Sequence, residues 1–302
     1  MAVSTFPPIP YENPFWSVHE LETIQRCALS VALVKVQHIR QGIAEYEETG
    51  TAWLIAPGLA VTCWHVVATL ENPQQPVRTV QEVIQQINNL QLYFGQTDSS
   101  GGGLAYRIQA LEYPQQNVPT HDFAVLRIED RSDHPYQQFA YLSIERDTAF
   151  TRQTRLSILQ HPWGEHQQGT HGSCVAYSET HHAIRYTTET RPGTSGSPVF
   201  SRDNWFVTAI HAKRIESTNL GEGIHMSTLL AILQKEQPRL YQEIMHVQFP
   251  GKHLPGLLGL SPHNHPTTLE RKPPEASRKL SLLATKKSAY QAFPHSYTNR
   301  ID

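Results

Sequence analysis

Short apolar runs separated by turn residues fill the chain from about residue 30 to residue 212. "SVALVKVQHI", residues 30–39, mixes β-branched and apolar positions in the manner of a half-buried strand. "TAWLIAPGLAVTCWHVV", residues 51–67, reads as strand, Pro57-Gly58 turn and strand. Further strands are predicted at "LQLYFG", "AYRIQALEY", "DFAVLRIE", "TRLSILQHP", "SCVAYSE", "AIRYTTE", "SPVFS" and "WFVTAIHA". Many short strands broken by Gly, Pro and Asn predict an antiparallel all-β sandwich or barrel.

Helical spacing appears in three places. "SVHELETIQRCAL" begins with Ser17 and Glu20 at capping-box spacing, and its apolar residues share one face, so a short helix should precede the first strand. "TVQEVIQQINNL" predicts a helical insertion near 79–90. "STLLAILQKEQPRLYQEIM" predicts a C-terminal helix broken or kinked at Pro238. The organisation expected is an extended arm over 1–16, a folded body over 17–248 and a Pro-rich mobile tail over 249–302 with one short helical stretch.

Charge adds little to this picture except at the tail. The net charge is −2, so nothing in the total calls for nucleic acid or a membrane surface. Pro250 to Asp302 nevertheless carries 8 Lys/Arg against 3 Asp/Glu, a basic end on an acidic body. Its pairs Arg271-Lys272, Arg278-Lys279 and Lys286-Lys287 offer contacts to an acidic partner or nucleic acid, against the plainer reading of a solvated tail. No positive n-region with an apolar stretch opens the chain, and no apolar run reaches membrane-spanning length. Cys27, Cys63 and Cys174 have no metal spacing, and a reducing cytoplasm is the simplest compartment.

The chemistry gathers at three points. In "RPGTSGSPVF", residues 191–200, Ser195 lies between Gly193 and Gly196 in a segment able to make a tight turn. That turn can aim the N–H groups of Gly193 and Ser195 at one point as an oxyanion hole; the alternative is a plain Gly-Ser hairpin. A serine nucleophile needs a base, and His65, at the end of "LAVTCWH", is a histidine that a strand can hold rigidly. Asp122 opens "DFAVLRIE", where a carboxylate beside an apolar strand calls for a partner or marks a strand-start turn. The order His65, Asp122, Ser195 is the chymotrypsin order, and Ser197 breaks the G-x-S-x-G elbow of α/β-hydrolases.

"TAWLIAPGLAVTCWHVV", "HDFAVLRI" and "RPGTSGSPVF" together resemble the catalytic blocks of trypsin-like, chymotrypsin-fold serine peptidases over about residues 27–240. The likeness is to the disulfide-free bacterial branch that includes glutamyl endopeptidases and HtrA-like enzymes. "LSILQHPWG" and "GIHMSTLLAIL" also resemble bacterial trypsin-like domains of NTPase-linked signalling and defence modules. The resemblance implies two six-stranded antiparallel β-barrels with a cleft between them. It implies His65 as general base, Asp122 as its orienting carboxylate and Ser195 as nucleophile, and it calls for no cofactor or metal. A regulated cytoplasmic endopeptidase with a polypeptide substrate and a regulatory protein partner is the expected function; the alternative is a catalytically quiet domain that binds peptides. Thr194 stands where trypsin has an Asp that pairs with its released N-terminus, so activation by that ion pair is not expected.

The walls of the primary pocket would be Glu189 and Thr190 on one side and "TAIHAKR" on the other. An unpaired Glu189 favours Arg or Lys substrates. Thr190 with His211 instead resembles the pair by which glutamyl endopeptidases hold an acidic side chain, and a Glu189–His211 ion pair would neutralise the pocket. The leaning is towards basic substrates. His161, His166 and His171 recur at fives, which is no one-face helical spacing and makes a poor metal site.

Overall fold

The computed structural model describes residues 16–40, 43–68, 79–97, 103–136, 139–146, 153–178 and 183–250. The proposed arm up to residue 15 and the tail from residue 251, with its helical stretch, lie outside the described residues. Both barrels belong to one contact unit that ends at His253.

Helix α1 (Val18–Ala28) leads into β1 (Val31–Arg40), β2 (Ile43–Ala56) and β3 (Leu59–Thr62). A single turn, α2 (Trp64–Val67), and a short helix, α3 (Val80–Gln85), precede β4 (Leu90–Phe94), β5 (Leu104–Tyr113) and β6 (Ala124–Ile128). These six strands close into a barrel in the order β1-β2-β3-β6-β5-β4. The second half holds β7 (Arg155–Gln160), β8 (Gln168–Ser178), β9 (Ala183–Tyr186), β10 (Pro198–Ser201), β11 (Val207–Ile215) and β12 (Leu220–His225). They close as β10-β11-β12-β9-β8-β7, and helices α4 (Met226–Glu236) and α5 (Pro238–Gln248) follow. The two six-stranded antiparallel barrels expected from the resemblance are therefore present.

Local signals account for the helix ends. Ser17 and Glu20 close a capping box on α1, and Thr79 and Glu82 close another on α3. Pro238 stops α4 and sits in the first turn of α5, where its missing N–H costs nothing. Residues 64–67 are helical although "HVV" reads as strand. There the Asp122 carboxylate accepts the His65 backbone N–H at 2.8 Å, a contact that rewards the turn more than β-propensity resists it.

The "AWLIA" run of β2 is buried at every position, because one face fills the barrel and the other is covered. The covering connection joins the barrels: Leu142 N–H donates to Leu54 O at 2.9 Å, and Ile144 bridges Val207 on β11. Leu54, Leu92 and Phe94 fill barrel 1, with Trp53 buried on the opposite face of β2; Leu156, Ile158, Ile184, Tyr186 and Val199 fill barrel 2. Each such side chain contributes roughly 1.5–3 kcal/mol of transfer free energy. The C-terminal helices return to barrel 1, where Arg127 bonds both Glu112 of β5 and Glu243 of α5. Helix α1 is anchored on barrel 2 by Glu20, whose carboxylate pairs with buried Arg202 at 2.6 Å.

Strand β12, "LGEGIH", escapes the hydrophobic pattern because two glycines interrupt it. Tertiary contact explains them. A Cβ on Gly221 would lie 2.3 Å from the Tyr186 ring, and one on Gly223 would lie 2.8 Å from Ile210 O. The glycines make room for a tyrosine that crosses the strand.

Candidate active site

Asp122 holds His65 with both carboxylate oxygens. Oδ1 accepts the His65 backbone N–H at 2.8 Å, and Oδ2 lies 2.6 Å from the ring Nδ1. The carboxylate thus fixes the position and the orientation of the imidazole, and it places the ring proton on Nδ1. Nε2 is left as the proton acceptor. The two side chains are 49% and 35% exposed, so the pair lies at the mouth of a cleft.

Ser195 is brought to the same end of barrel 1 by backbone contacts. Its carbonyl accepts the Thr51 N–H at 2.9 Å. A Cβ on Gly50 would meet both Val66, the neighbour of His65, and Ser195 O, at 2.6 and 3.3 Å. No hydrogen bond joins Ser195 Oγ to His65 among the described residues.

The loop around Ser195 has a one-sided hydrogen-bond pattern. Every carbonyl from Glu189 to Ser195 has a donor. Glu189 O accepts from Gln160 Nε2 and the Thr170 hydroxyl, both at 3.1 Å, and Thr190 O from Arg214 at 2.9 Å. Arg191 O accepts from the Thr194 N–H at 3.0 Å and Pro192 O from the Trp163 N–H at 2.6 Å. Gly193 O accepts from the Thr51 hydroxyl at 2.8 Å, Thr194 O from the Ser197 N–H at 3.0 Å, and Ser195 O as above. The N–H groups of Gly193 and Ser195 donate to nothing among the described residues. Both residues are half-buried. Gly193 is required here: its φ is +89°, and a Cβ would come within 2.4 Å of His161 O.

Residues 50–210, more than half of the chain, match the family model for the trypsin-like peptidase domain. The chain belongs to the trypsin-like peptidase family. Serine endopeptidase is accordingly its enzyme class, with polypeptide as substrate. No curated protein matches it significantly. Among solved structures, the peptidase is similar to the active form of the Rv3671c protease from M. tuberculosis, with 15% identity and a TM-score of 0.54 over 78% of this chain and 93% of that one. It is similar also to the serine endoprotease from Yersinia pestis, with 15% identity and a TM-score of 0.51 over 72% of this chain and 66% of that one. Likeness at this identity is a likeness of fold. The peptidase has no disulfide, since Cys27, Cys63 and Cys174 are all unpaired. No described helix is long and apolar enough to cross a membrane.

The specificity residues are dispersed differently from the sequence expectation. Glu189 is 63% exposed and its carboxylate pairs with Arg191. His211 is 2% exposed, and its Nδ1 lies 2.6 Å from the Tyr186 hydroxyl, so the Glu189–His211 ion pair is not formed. Burial lowers the His211 pKa to about 3, with a smaller contribution from nearby His65, and the ring is neutral. Thr190 is buried beside Arg214, whose described partners are Thr190 O and Asn219 Oδ1. A cleft of about 680 Å³ runs past Asp122 between Tyr177, Arg185, Ala212 and Lys213.

Among the described residues, His161, His166 and His171 are not among the donor groups close enough together to share a cation. His161 is buried, bonds Glu165 O at 2.9 Å and has a pKa lowered by burial to about 4. Among the described residues, donor atoms with metal-like spacing belong to Cys63, His65 and Asp122, within 4.8 Å of one another. Burial raises the Cys63 thiol well above its usual range, its Sγ donates to His211 O at 3.2 Å, and the Asp122 carboxylate is engaged by His65.

The buried neutral histidines carry a prediction for stability. His161 and His211 stay unprotonated in the fold but bind protons near pH 6.5 when unfolded. The unfolded chain therefore binds more protons below that pH, and stability falls as the pH drops from about 6.5 towards 5. Each histidine contributes about 1.4 kcal/mol per pH unit to that slope. Urea denaturation at pH 7, 6 and 5 measures it; an unchanged midpoint would contradict neutral burial.

Sequence reading missed Thr51, Gln160, Trp163 and Tyr186. The first two are polar residues in apolar strands, an anomaly visible beforehand, though their partners more than 25 residues away are not. Trp163 and Tyr186 carried no local signal.

Proposed function

We propose that the peptidase cleaves polypeptides with Ser195 as nucleophile, His65 as general base and acid, and Asp122 as the carboxylate that orients the imidazole. The observation that carries this reading is the bidentate grip of Asp122 on His65, with the Gly193 and Ser195 N–H groups of the loop beside it without an acceptor among the described residues. Ser195 Oγ attacks the scissile carbonyl carbon while its proton passes to His65 Nε2. The negative oxygen then lies against the N–H groups of Gly193 and Ser195. Collapse of the tetrahedral adduct breaks the C–N bond, and His65 returns the proton to the leaving amine. Water repeats the sequence on the acyl-enzyme and releases the acid. Asp122 stabilises the imidazolium throughout.

An extended substrate fits the edge of β11. Strand β10 pairs with β11 only as far as Pro198↔Ile210, whereas β12 follows β11 to Ile215. The other edge at Ala212 and Lys213 borders the cleft and can accept a substrate strand by main-chain pairing.

His211 supports selection of an acceptor side chain before the scissile bond. The buried Tyr186 hydroxyl needs an acceptor and finds His211 Nδ1, which puts the ring proton on Nε2 as a donor. Thr190 adds a hydroxyl, and Arg214 adds positive charge with no described carboxylate partner. Glutamate meets all three groups better than arginine or lysine. The leaning to basic substrates rested on an unpaired Glu189, and that carboxylate pairs with Arg191 at the surface. The three unpaired cysteines favour a reducing, cytoplasmic setting; the tail proposed for a regulatory partner lies outside the described residues.

A fluorophosphonate probe followed by intact-mass and peptide mapping tests the nucleophile: the adduct should fall on Ser195, and labelling elsewhere or none overturns the reading. A peptide library tests the pocket. Cleavage after Glu should exceed cleavage after Arg or Lys by about 10²-fold, and Tyr186→Phe should erode that ratio. Predominant cleavage after Arg or Lys would sink the pocket assignment.

A further inference from the structure

Gln160 ends β7 as a buried polar residue, 2% exposed, and its amide serves one segment of chain. The Thr194 hydroxyl donates to Oε1, while Nε2 donates to Glu189 O and to the Thr170 hydroxyl, both at 3.1 Å. Thr170 also donates to Glu189 O at 3.1 Å, and Thr194 Oγ1 accepts the Arg191 N–H at 2.9 Å. One neutral side chain thereby ties together the two ends of residues 189–194, the segment that carries Gly193 up to Ser195.

We propose that Gln160 is a positioning residue: a neutral latch, always closed, that holds the Gly193 and Ser195 N–H groups in line without an N-terminal amine or a bound partner. The inference rests on the proposed roles of Gly193 and Ser195. Both halves of the amide are needed. The acceptor takes the Thr194 proton, and the donor, together with the Thr170 hydroxyl, ties down Glu189 O. A carboxylate lacks the donor and adds a buried charge, and a thioether of similar length lacks both. The direct partners of Gln160 are hydroxyls and a carbonyl, none of them ionisable. The nearby charged groups are Glu189 and Arg191, already paired with each other, and Arg214, which donates to Thr190 O; the adjacent His161 is neutral. Control of this enzyme then acts on access to the cleft, because the loop is ordered by its own contacts.

The test uses the full chain as wild type, Gln160→Met and Gln160→Glu, with and without an N-terminal extension, on one peptide ester. Wild-type kcat should be the same within about twofold with the N-terminus extended or not, since no amine near pKa 7.7–8.0 takes part. Gln160→Met should lower kcat by about 10²-fold with KM little changed, the loss typical of one misaligned oxyanion donor. For Gln160→Glu, kcat relative to wild type should rise as pH falls, because the protonated carboxyl regains a donor beside its acceptor; for Gln160→Met the ratio should be independent of pH. Loss of wild-type activity on extension, or wild-type kcat in Gln160→Met, overturns the latch. If Gln160→Met does not fold, the Gln160→Glu profile decides, and a flat ratio there overturns it. Failure of wild type to take the phosphonate would instead remove the Ser195 reading beneath it.

Discussion

Ser195→Ala should lower kcat by about 10⁶-fold while the protein remains folded and binds peptide. Alanine removes one oxygen in a half-buried loop and no described hydrogen bond to another side chain, so the stability cost should be within about 0.5 kcal/mol. The chemistry loses its nucleophile altogether. What survives is whatever the backbone N–H groups of residues 193 and 195 and the binding cleft achieve with water as attacker, roughly 10³–10⁴ over the uncatalysed rate in triads of this kind. Single-turnover hydrolysis of a peptide ester, with peptide affinity measured in parallel, checks both halves. Equal affinity in wild type and variant, with turnover in neither, would sink the enzymatic reading in favour of a peptide-binding module.

Asp122→Asn should cost roughly 10⁴ in kcat with KM nearly unchanged, by analogy with the same change in the chymotrypsin-type triad. Geometry gives the reason. Asp122 accepts two hydrogen bonds from His65, one from the backbone N–H and one from Nδ1. Asparagine has one oxygen and an NH₂ group. With the oxygen towards the backbone N–H, the NH₂ meets Nδ1 and drives the ring proton to Nε2, where it blocks acceptance from Ser195. With the amide turned over, two N–H donors face each other. The first arrangement removes the competent tautomer, and the second, which would keep it, is opposed by the clash at the backbone N–H, so phosphonate labelling should slow in the same proportion as kcat. A loss of less than tenfold would show that Asp122 does not orient the base.

Much of the architecture was legible because local rules and tertiary packing agree. The capping boxes at Ser17 and Thr79, the stop at Pro238 and most of the strands lie where patterning predicts. Disagreement appears where a long-range contact overrides a local preference. Val66 and Val67 turn helical beside the Asp122 contact at His65, and β12 keeps glycines to clear Tyr186. Strand "AIRYTTE" stops at Tyr186, after which Thr187 to Thr190 leave the sheet for the loop that Gln160 gathers.

By itself the sequence determined the candidate chemistry: a serine between glycines, a histidine after an apolar strand and an aspartate opening another, in an order that few folds use. Those residues are recognisable because the proposed chemistry would constrain their types and their immediate neighbours. Only the tertiary structure decided which groups hold them and what they face. Thr51 reaches Gly193 O from the other barrel, Gln160 gathers residues 189–194, and Tyr186 takes one nitrogen of His211 while Glu189 turns outward to Arg191. A hydrogen bond is set by a few tenths of an ångström and by burial, and neither is written in the spacing of residues along a chain.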